Sequence, residues 1–301
     1  MTLGYIGLGK MGLNMVLRLK EKGHKVVAYN RSPEPRKKAQ KNGIETVSTI
    51  PELISKLHAP RLIWIMVSHS GVDAVVRELI PLLSKGDIIV DGGNCFYKDT
   101  LKRAALLKKH GISFLDVGVS GGPAGARNGA CSMVGGEKKD FQRLLPLFKD
   151  ISAPGAYLHC GSHGAGHFVK MVHNGIEYGM MQALAEGFEV LKFSKFKLDL
   201  EKVALIYNNR SVIESRLVEW LGDGLRKYGK DLKTISSTVS HTGEGEWTVT
   251  SAKEFGVSVP IIKSSLDVRK QSAKNPRFAG KVLSVLRNQF GGHDAAMAKK
   301  S

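Results

Sequence analysis

The chain has 301 residues, 42% of them apolar, which is enough for one large or two medium domains, and no apolar run is long enough to cross a bilayer. No basic segment precedes the first apolar run and the three cysteines form no Cys-x-x-Cys pair, so we expect a cytoplasmic protein without signal peptide, membrane span or disulfide framework. The net charge of +18 favours anionic ligands, and without a recognised nucleic-acid motif it leaves nucleic-acid binding only a minor alternative.

Short apolar runs alternate with amphipathic segments through the first half of the chain. We predict strands over residues 3–6, 25–29, 62–67, 88–90 and 114–117. We predict helices between them over residues 11–22, 33–41, 72–83 and 100–110, then a strand at 132–134, a helix at 140–148 and a strand at 157–159. The alternation predicts an α/β Rossmann-type domain with a mostly parallel sheet covered on both faces.

The pattern changes near residues 161–164, after which long helical periods dominate. We predict helices over residues 166–193, 200–207, 211–228, 248–255, 261–274 and 281–288. The sequence therefore predicts a dinucleotide-binding domain over residues 1–162 and an all-helical domain for substrate and dimerisation over residues 163–301.

A glycine-rich run follows the first predicted strand and opens the first predicted helix. It consists of Gly7, Leu8, Gly9, Lys10, Met11 and Gly12. In this setting the GxGxxG spacing indicates a dinucleotide site, in which the first glycine makes the turn, the second admits the pyrophosphate and the third lets helix and strand pack closely. A glycine turn without a ligand is the alternative.

The next predicted strand ends in Asn30, Arg31 and Ser32. An NAD site usually carries an acidic residue here for the ribose hydroxyl. Asn30 does not repel a 2′-phosphate, and Arg31 and Ser32 can pair with one, so we expect NADP, with NAD possible. The alternative for Arg31 is an ordinary surface arginine.

The segment 166–179 carries a polar stripe: Lys170, His173, Asn174 and Glu177 are spaced to share one face of a helix. The flanking positions are apolar, so this face is expected to meet a partner or a wet cavity. The alternative is a solvent-exposed face with a Lys–Glu pair.

Two glycine-containing loops follow predicted strands, residues 91–94 (Asp-Gly-Gly-Asn) and residues 120–122 (Ser-Gly-Gly). Both fall at the carboxyl ends of parallel strands, where open α/β sheets bind ligands. Their backbone N–H groups suit a carboxylate. Each on its own is also compatible with a plain turn.

Together these segments resemble the 6-phosphogluconate dehydrogenases of the β-hydroxyacid dehydrogenase superfamily. The resemblance rests on GLGxMG, NRS, DGGN, SGGxxGARxG, GHFVKMVHNGIEYG, TGxGxWT at 242–248 and RxxFGxH at 287–293, and so covers nearly the whole chain. It departs from the family at residues 67–71, at Pro123-Ala124, at Thr242, and at Asn209, Arg210 and Glu214.

The resemblance implies NADP-linked (or NAD-linked) oxidative decarboxylation of 6-phosphogluconate to ribulose 5-phosphate, without a metal. Lys170 would be the base for the 3-hydroxyl, which requires a pKa lowered by burial, and Glu177 the acid that protonates carbon after CO₂ leaves. The implied substrate contacts are Asn94, Ser120, Gly121, Gly122, His173, Asn174, Tyr178, Arg269, Arg287 and His293, with Asn94 and Val67 also at the cofactor.

The resemblance also implies a homodimer in which Arg287 and His293 complete a neighbour's phosphate site. Two glycines at 291 and 292 are expected to end the last helix before this tail. Two other functions stay open. One is a β-hydroxyacid dehydrogenase that oxidises a small 3-hydroxy acid without decarboxylating it, and the other is a basic, nucleic-acid-associated protein on a dehydrogenase scaffold.

Overall fold

The computed structural model describes residues 1–239 and 243–292. These residues form two compact units, Met1–Met171 and a second from Val172 onward, and the division falls inside one continuous helix. The predicted boundary after residue 162 stays a prediction. Within the described ranges no helix is long and apolar enough to span a bilayer.

The first unit contains one eight-stranded sheet in the order β3-β2-β1-β4-β5-β6-β7-β8. Its strands are β1 (Thr2–Ile6), β2 (Lys25–Tyr29), β3 (Glu45–Val47), β4 (Leu62–Ile65), β5 (Ile88–Asp91), β6 (Ser113–Ser120), β7 (Ala130–Gly136) and β8 (Ser152–Gly161). Only the β6–β7 pair is antiparallel, which confirms the predicted mostly parallel sheet.

Helices cover both faces of this sheet. They are α1 (Lys10–Glu21), α2 (Pro33–Lys41), α3 (Ile50–Ser55), α4 (His69–Leu79), α5 (Tyr97–Lys109), α6 (Gly122–Asn128), α7 (Lys138–Arg143) and α8 (Leu145–Ile151). Adjacent strand residues point into different apolar clusters, Tyr5 and Trp64 into one and Ile6 and Ile65 into the other. This alternation is why the strands are apolar on both sides.

Three short elements were not predicted: β3, α3 and α6. Two capping hydrogen bonds mark the start of α3, because Thr49 Oγ1 accepts the Glu52 N–H and the Glu52 carboxylate accepts the Ser48 N–H. The helix predicted at 140–148 is two helices, with a proline opening the second. The predicted strand at 62–67 ends early, and residues 69–71 form the first turn of α4.

The regular elements described in the second unit are helices, as predicted. They are α9 (Ala165–Phe193), whose first turns belong to the first unit, α10 (Leu200–Tyr207), α11 (Arg216–Tyr228), α12 (Glu244–Glu254), α13 (Pro260–Gln271) and α14 (Phe278–Gly291). The helix predicted from 211 begins at Arg216, because Ser215 caps it by accepting the Val218 N–H. Helix α14 ends at Gly291 with Gly292 in the left-handed region, as predicted.

Candidate active site

The three glycines of the first loop have the geometry that dinucleotide binding requires. Gly7 has φ of 107°, and a side chain there would meet the Met66 carbonyl at 2.2 Å. A side chain on Gly12 would meet the Gly7 carbonyl at 2.0 Å, so this glycine permits close packing. Gly9 is exposed, and a Cβ at this position would have no protein atom within 4 Å. The loop thus leaves room for a pyrophosphate at the second glycine, where the sequence predicts it.

Asn30 stabilises this loop. Its Oδ1 accepts the Leu8 N–H at 2.9 Å, and its Nδ2 donates to the Ser32 carbonyl at 3.2 Å. The sequence indicates a role for Asn30 only because this residue carries no negative charge. Its contact with the loop is an additional role. Arg31 and Ser32 are exposed, and helix α2 starts directly after Ser32.

The polar stripe lies on one face of α9. His173 Nδ1 lies 3.2 Å from Asn174 Oδ1 and 3.8 Å from Glu177 Oε2. Lys170 and Asn174 are only 9% and 8% exposed, which excludes an ordinary solvent-exposed face. Lys170 therefore has the burial that a lysine base requires.

The apolar flanks of α9 are only partly buried. Met171 is buried, but Val169, Ile176 and Met180 are exposed. Their spacing of seven and four residues places them in one stripe. Large apolar side chains in a stripe favour a protein partner.

Asp116, which the sequence analysis missed, anchors the start of α9. Its two carboxylate oxygens accept the N–H groups of Gly164 at 2.7 Å and His167 at 2.9 Å. Asp116 is fully buried in β6. Two residues along this strand, a side chain on Gly118 would lie 2.3 Å from the Lys170 Cβ. The strand therefore fixes the position of the Lys170 backbone in the first turns of the helix.

Replacing Asp116 with alanine should lower the free energy of unfolding by about 2–4 kcal/mol, because two buried N–H groups lose a charged acceptor. Urea denaturation followed by circular dichroism measures the change. Asp223→Ala is the matched control, since its partially exposed pair with Arg226 should be worth less than about 1 kcal/mol. Equal losses in the two variants would contradict the anchoring role.

The two predicted ligand loops differ in what they expose. In the first, Asn94 is exposed, while Asp91 is fully buried and accepts the Gly93 N–H at 3.0 Å. Asp91 therefore shapes the loop, and Asn94 is its exposed residue. A side chain on Gly92 would lie 2.6 Å from Trp64 Nε1, which explains that glycine.

In the second loop, Gly121 and Gly122 have φ of 116° and 62°. Ser120 ends β6, and Pro123 occupies the first turn of α6. Pro123 departs from the family pattern, and its position at a helix start supplies a structural reason. Val67, in the other altered segment, packs partly buried against an apolar cluster just before α4.

The altered segment at 209–214 is explained locally. Arg210 has φ of 60°, and its N–H donates to Glu214 Oε2 at 3.0 Å. Glu214 therefore stabilises the turn that leads into α11.

The second unit brings three of the predicted phosphate ligands together. The Arg269 guanidinium carbon lies 3.4 Å from the centre of the Tyr178 ring. Arg269 is 2% exposed, and its Nε has no hydrogen-bond partner among the described residues. Burial lowers the pKa of Arg269, and Tyr178 opposes this shift. A buried arginine with an unused donor suits an anionic ligand.

Arg287 completes this group within the same chain. Burial lowers its pKa, and the nearby Tyr178, Glu244 and Glu177 raise it. These contributions bring Arg287 close to Tyr178, Glu244 and Glu177 of its own chain, and its service to a neighbouring subunit's site stays a prediction. His293 lies outside the described residues.

The segment after residue 242 packs against α9. A side chain on Gly175 would meet the Thr248 Cγ2 at 2.6 Å, and one on Gly245 would meet the Tyr178 ring at 2.6 Å. These close approaches explain a glycine in the middle of α9 and the second glycine of the TGxGxWT pattern. Thr242 itself lies outside the described residues.

Glu244 is a further member of this group that the sequence analysis did not assign. It is 7% exposed, and its charge raises the pKa values of Tyr178 and Arg287. An acidic residue within a glycine-rich motif was the available sequence signal.

Two family profiles match nearly the whole chain. Residues 2–164 match the NAD binding domain of 6-phosphogluconate dehydrogenase, and residues 166–297 match the 6-phosphogluconate dehydrogenase C-terminal domain.

Several relatives align along the chain. A Bacillus subtilis protein provisionally named 6-phosphogluconate dehydrogenase YqeC is 46% identical, with 97% of this chain and 98% of that protein aligned. The Haloferax volcanii 6-phosphogluconate dehydrogenase, NAD(+)-dependent, decarboxylating, is 41% identical over 98% of this chain and 99% of its own.

Two solved structures have folds similar to that of this chain. Plasmodium falciparum 6-phosphogluconate dehydrogenase, determined in its apo form and with NADP+ or 6-phosphogluconate, has a TM-score of 0.82 at 33% identity, over 91% of this chain and 62% of its own. Mycobacterium tuberculosis 3-hydroxyisobutyrate dehydrogenase has a TM-score of 0.72 at 20% identity, over 95% of this chain and 99% of its own, and so shares the fold.

Proposed function

The chain belongs to the 6-phosphogluconate dehydrogenase family, and we propose that it oxidatively decarboxylates 6-phosphogluconate in the cytoplasm with NADP as the preferred cofactor. The observation that carries the proposal is the face of α9, where buried Lys170 and Asn174 share a stripe with His173 and Glu177. The open position at Gly9 fits a dinucleotide.

The chemistry follows from these side chains. Lys170 takes the proton of the 3-hydroxyl. When bound, the nicotinamide accepts the hydride from C3. The resulting ketone lies β to the carboxylate, so CO₂ can leave while protonated Lys170 stabilises the enolate. Glu177 then protonates the carbon that lost CO₂.

The remaining residues hold the substrate. Ser120, Gly121 and Gly122 bind its carboxylate, and Asn94 lies between substrate and nicotinamide. His173 and Asn174 hold the sugar hydroxyls, and Tyr178, Arg269 and Arg287 bind the 6-phosphate. Arginine suits a phosphate dianion because its donors are fixed in a fork.

A turnover assay with 6-phosphogluconate and each cofactor tests the function. We expect reduced cofactor and CO₂ in equal amounts. Oxidation of a small 3-hydroxy acid without CO₂ release would favour the non-decarboxylating alternative, and no turnover with either substrate class would contradict both.

Cofactor preference can be tested at Arg31. Arg31→Ala should raise the Michaelis constant for NADP by about 10- to 150-fold, equivalent to a lost charged hydrogen bond of about 1.5–3 kcal/mol, and leave NAD nearly unaffected. Lys37→Ala, an exposed residue paired with Glu34, is the control. The Haloferax relative is named NAD(+)-dependent, which makes NAD the competing cofactor. A higher kcat/KM of the wild-type enzyme for NAD than for NADP would overturn the NADP assignment.

We also propose a homodimer. The exposed stripe of α9 and further exposed apolar residues, including Val190, Phe193 and Ile261, support an interface in the helical unit. The homodimer places the same surface on both subunits.

Subunit mixing tests whether Arg287 acts in its own chain. Glu177→Gln and Arg287→Ala are mixed under conditions that exchange subunits. If Arg287 completes the neighbouring subunit's site, as the family pattern predicts, each hybrid dimer has one site with both lesions and one with neither, so activity should rise well above the average of the two parents. Activity that stays at this average despite proven exchange would place Arg287 in the site of its own chain.

A further inference from the structure

Three buried side chains with no role in the proposed reaction meet in the first unit. They are the carboxylate of Asp91, the thiol of Cys95 and the imidazole of His167, here called the buried triad. Their exposures are 0%, 2% and 1%, and their ligand atoms all lie within 4.8 Å of one another. The triad joins the loop after β5 to the start of α9.

One nitrogen of the triad is unsatisfied. His167 Nδ1 pairs with Thr100 Oγ1 at 2.7 Å, which fixes the ring. Its other ring nitrogen, Nε2, is buried and has no hydrogen-bond partner among the described residues. Most buried polar atoms have a partner, so this nitrogen is a candidate for binding a ligand.

The three atom types are those that Zn²⁺ prefers. A tetrahedral zinc with bonds of about 2.0–2.3 Å holds such ligand atoms about 3.4–3.6 Å apart. Cys95 Sγ lies 3.9 Å from Asp91 Oδ1, so this pair needs little contraction. The Thr100 contact at Nδ1 leaves Nε2 as the nitrogen for a metal, and such a contact is the kind of support that orients a metal-binding histidine.

Arg103 is a cation that pairs with the triad, and two carboxylates balance its charge. Its Nε lies 2.6 Å from Asp73 Oδ1, and its Nη1 lies 3.5 Å from Asp91 Oδ2. Two carboxylates and one guanidinium leave a net charge of minus one. A dication that displaces the thiol proton adds one positive charge and brings the group to neutrality.

The thiol proton must leave for the metal to bind. The Cys95 thiol donates a hydrogen bond to Asp91 Oδ1 at 3.9 Å, so it carries a proton before a metal binds. Binding forms the metal–sulfur bond, breaks the S–H bond and releases one proton to solvent.

We propose that Asp91, Cys95 and His167 bind one thiophilic divalent cation of the Zn²⁺ class, with water as the fourth ligand. The ion ties the loop that carries Asn94 to the start of α9. Its role is structural, and it takes no part in the hydride or proton transfers proposed above.

Cobalt titration of the chelator-treated, full-length protein tests the site. Co²⁺ should bind at one ion per chain and produce a thiolate-to-cobalt charge-transfer band, which Zn²⁺ abolishes by competition. Cys95→Ser should lose the band, and His167→Gln should bind at least about tenfold more weakly. Cys131→Ser, at an exposed thiol, should keep it. Zn²⁺ should raise the melting temperature of the wild type but not of Cys95→Ser.

Several results would overturn the site: no band after prolonged equilibration, a band that persists in Cys95→Ser, or one that disappears in Cys131→Ser. Circular dichroism checks that the variants fold. If His167→Gln does not fold, the nearly isosteric Cys95→Ser variant decides the test alone. None of these measurements requires turnover, so they are independent of whether the proposed function is correct.

Discussion

Replacing Lys170 with methionine should lower kcat for 6-phosphogluconate by about 10⁴-fold or more, because the change removes both the base for the hydroxyl and the later cation. Methionine is an unbranched side chain of similar length to lysine. It should therefore fit beside Gly118, which packs directly against the Lys170 Cβ. Steady-state reduction of NADP measures the loss. Cofactor binding, followed by fluorescence titration, should stay close to that of the wild type.

Lys192→Met is the matched control for this experiment. Lys192 lies near the end of the same helix and pairs with Asp231, so its replacement should leave kcat almost unchanged. A Lys170→Met enzyme that works at nearly the wild-type rate would remove Lys170 from the mechanism.

The long elements of the fold could be predicted because their patterns are local. The β2 bounds match because Lys25–Tyr29 is a compact apolar run, and α2 begins where Pro33 follows a strand end. The short β3 and α3 were not predicted because a strand of three residues and a helix of six residues show too little periodicity.

The site could be predicted only where its residues are close in sequence. Lys170 and Glu177 share a helix, and their spacing reveals a common face. Asp116 supports that helix from a strand about fifty residues earlier, which no local pattern indicates. Arg287 and Glu244 come close to Tyr178 only through helix packing, which no local sequence pattern shows.

Replacing Glu177 with glutamine should lower kcat by about 10²- to 10⁴-fold, the contribution of one general acid, because the amide cannot protonate the carbon that lost CO₂. The amide has the size of the carboxylate, and His173 Nδ1 keeps its contact with Asn174 Oδ1 at 3.2 Å, so the helix face should keep its shape. Glu186→Gln is the control, since this exposed residue of α9 contacts Gln182 at 2.7 Å and should leave kcat nearly unchanged.

The stereochemistry of that protonation separates the acid role from a general disturbance of the site. In heavy water the wild type should place deuterium on one face of the carbon, because a fixed Glu177 delivers it from one side. The enediol left by Glu177→Gln must take its proton from water, so the label should appear on both faces of the carbon. Nuclear magnetic resonance of the labelled product distinguishes the two cases. A slow variant that still labels a single face would show that another residue supplies the proton, and the role of Glu177 would then be limited to positioning its neighbours on α9.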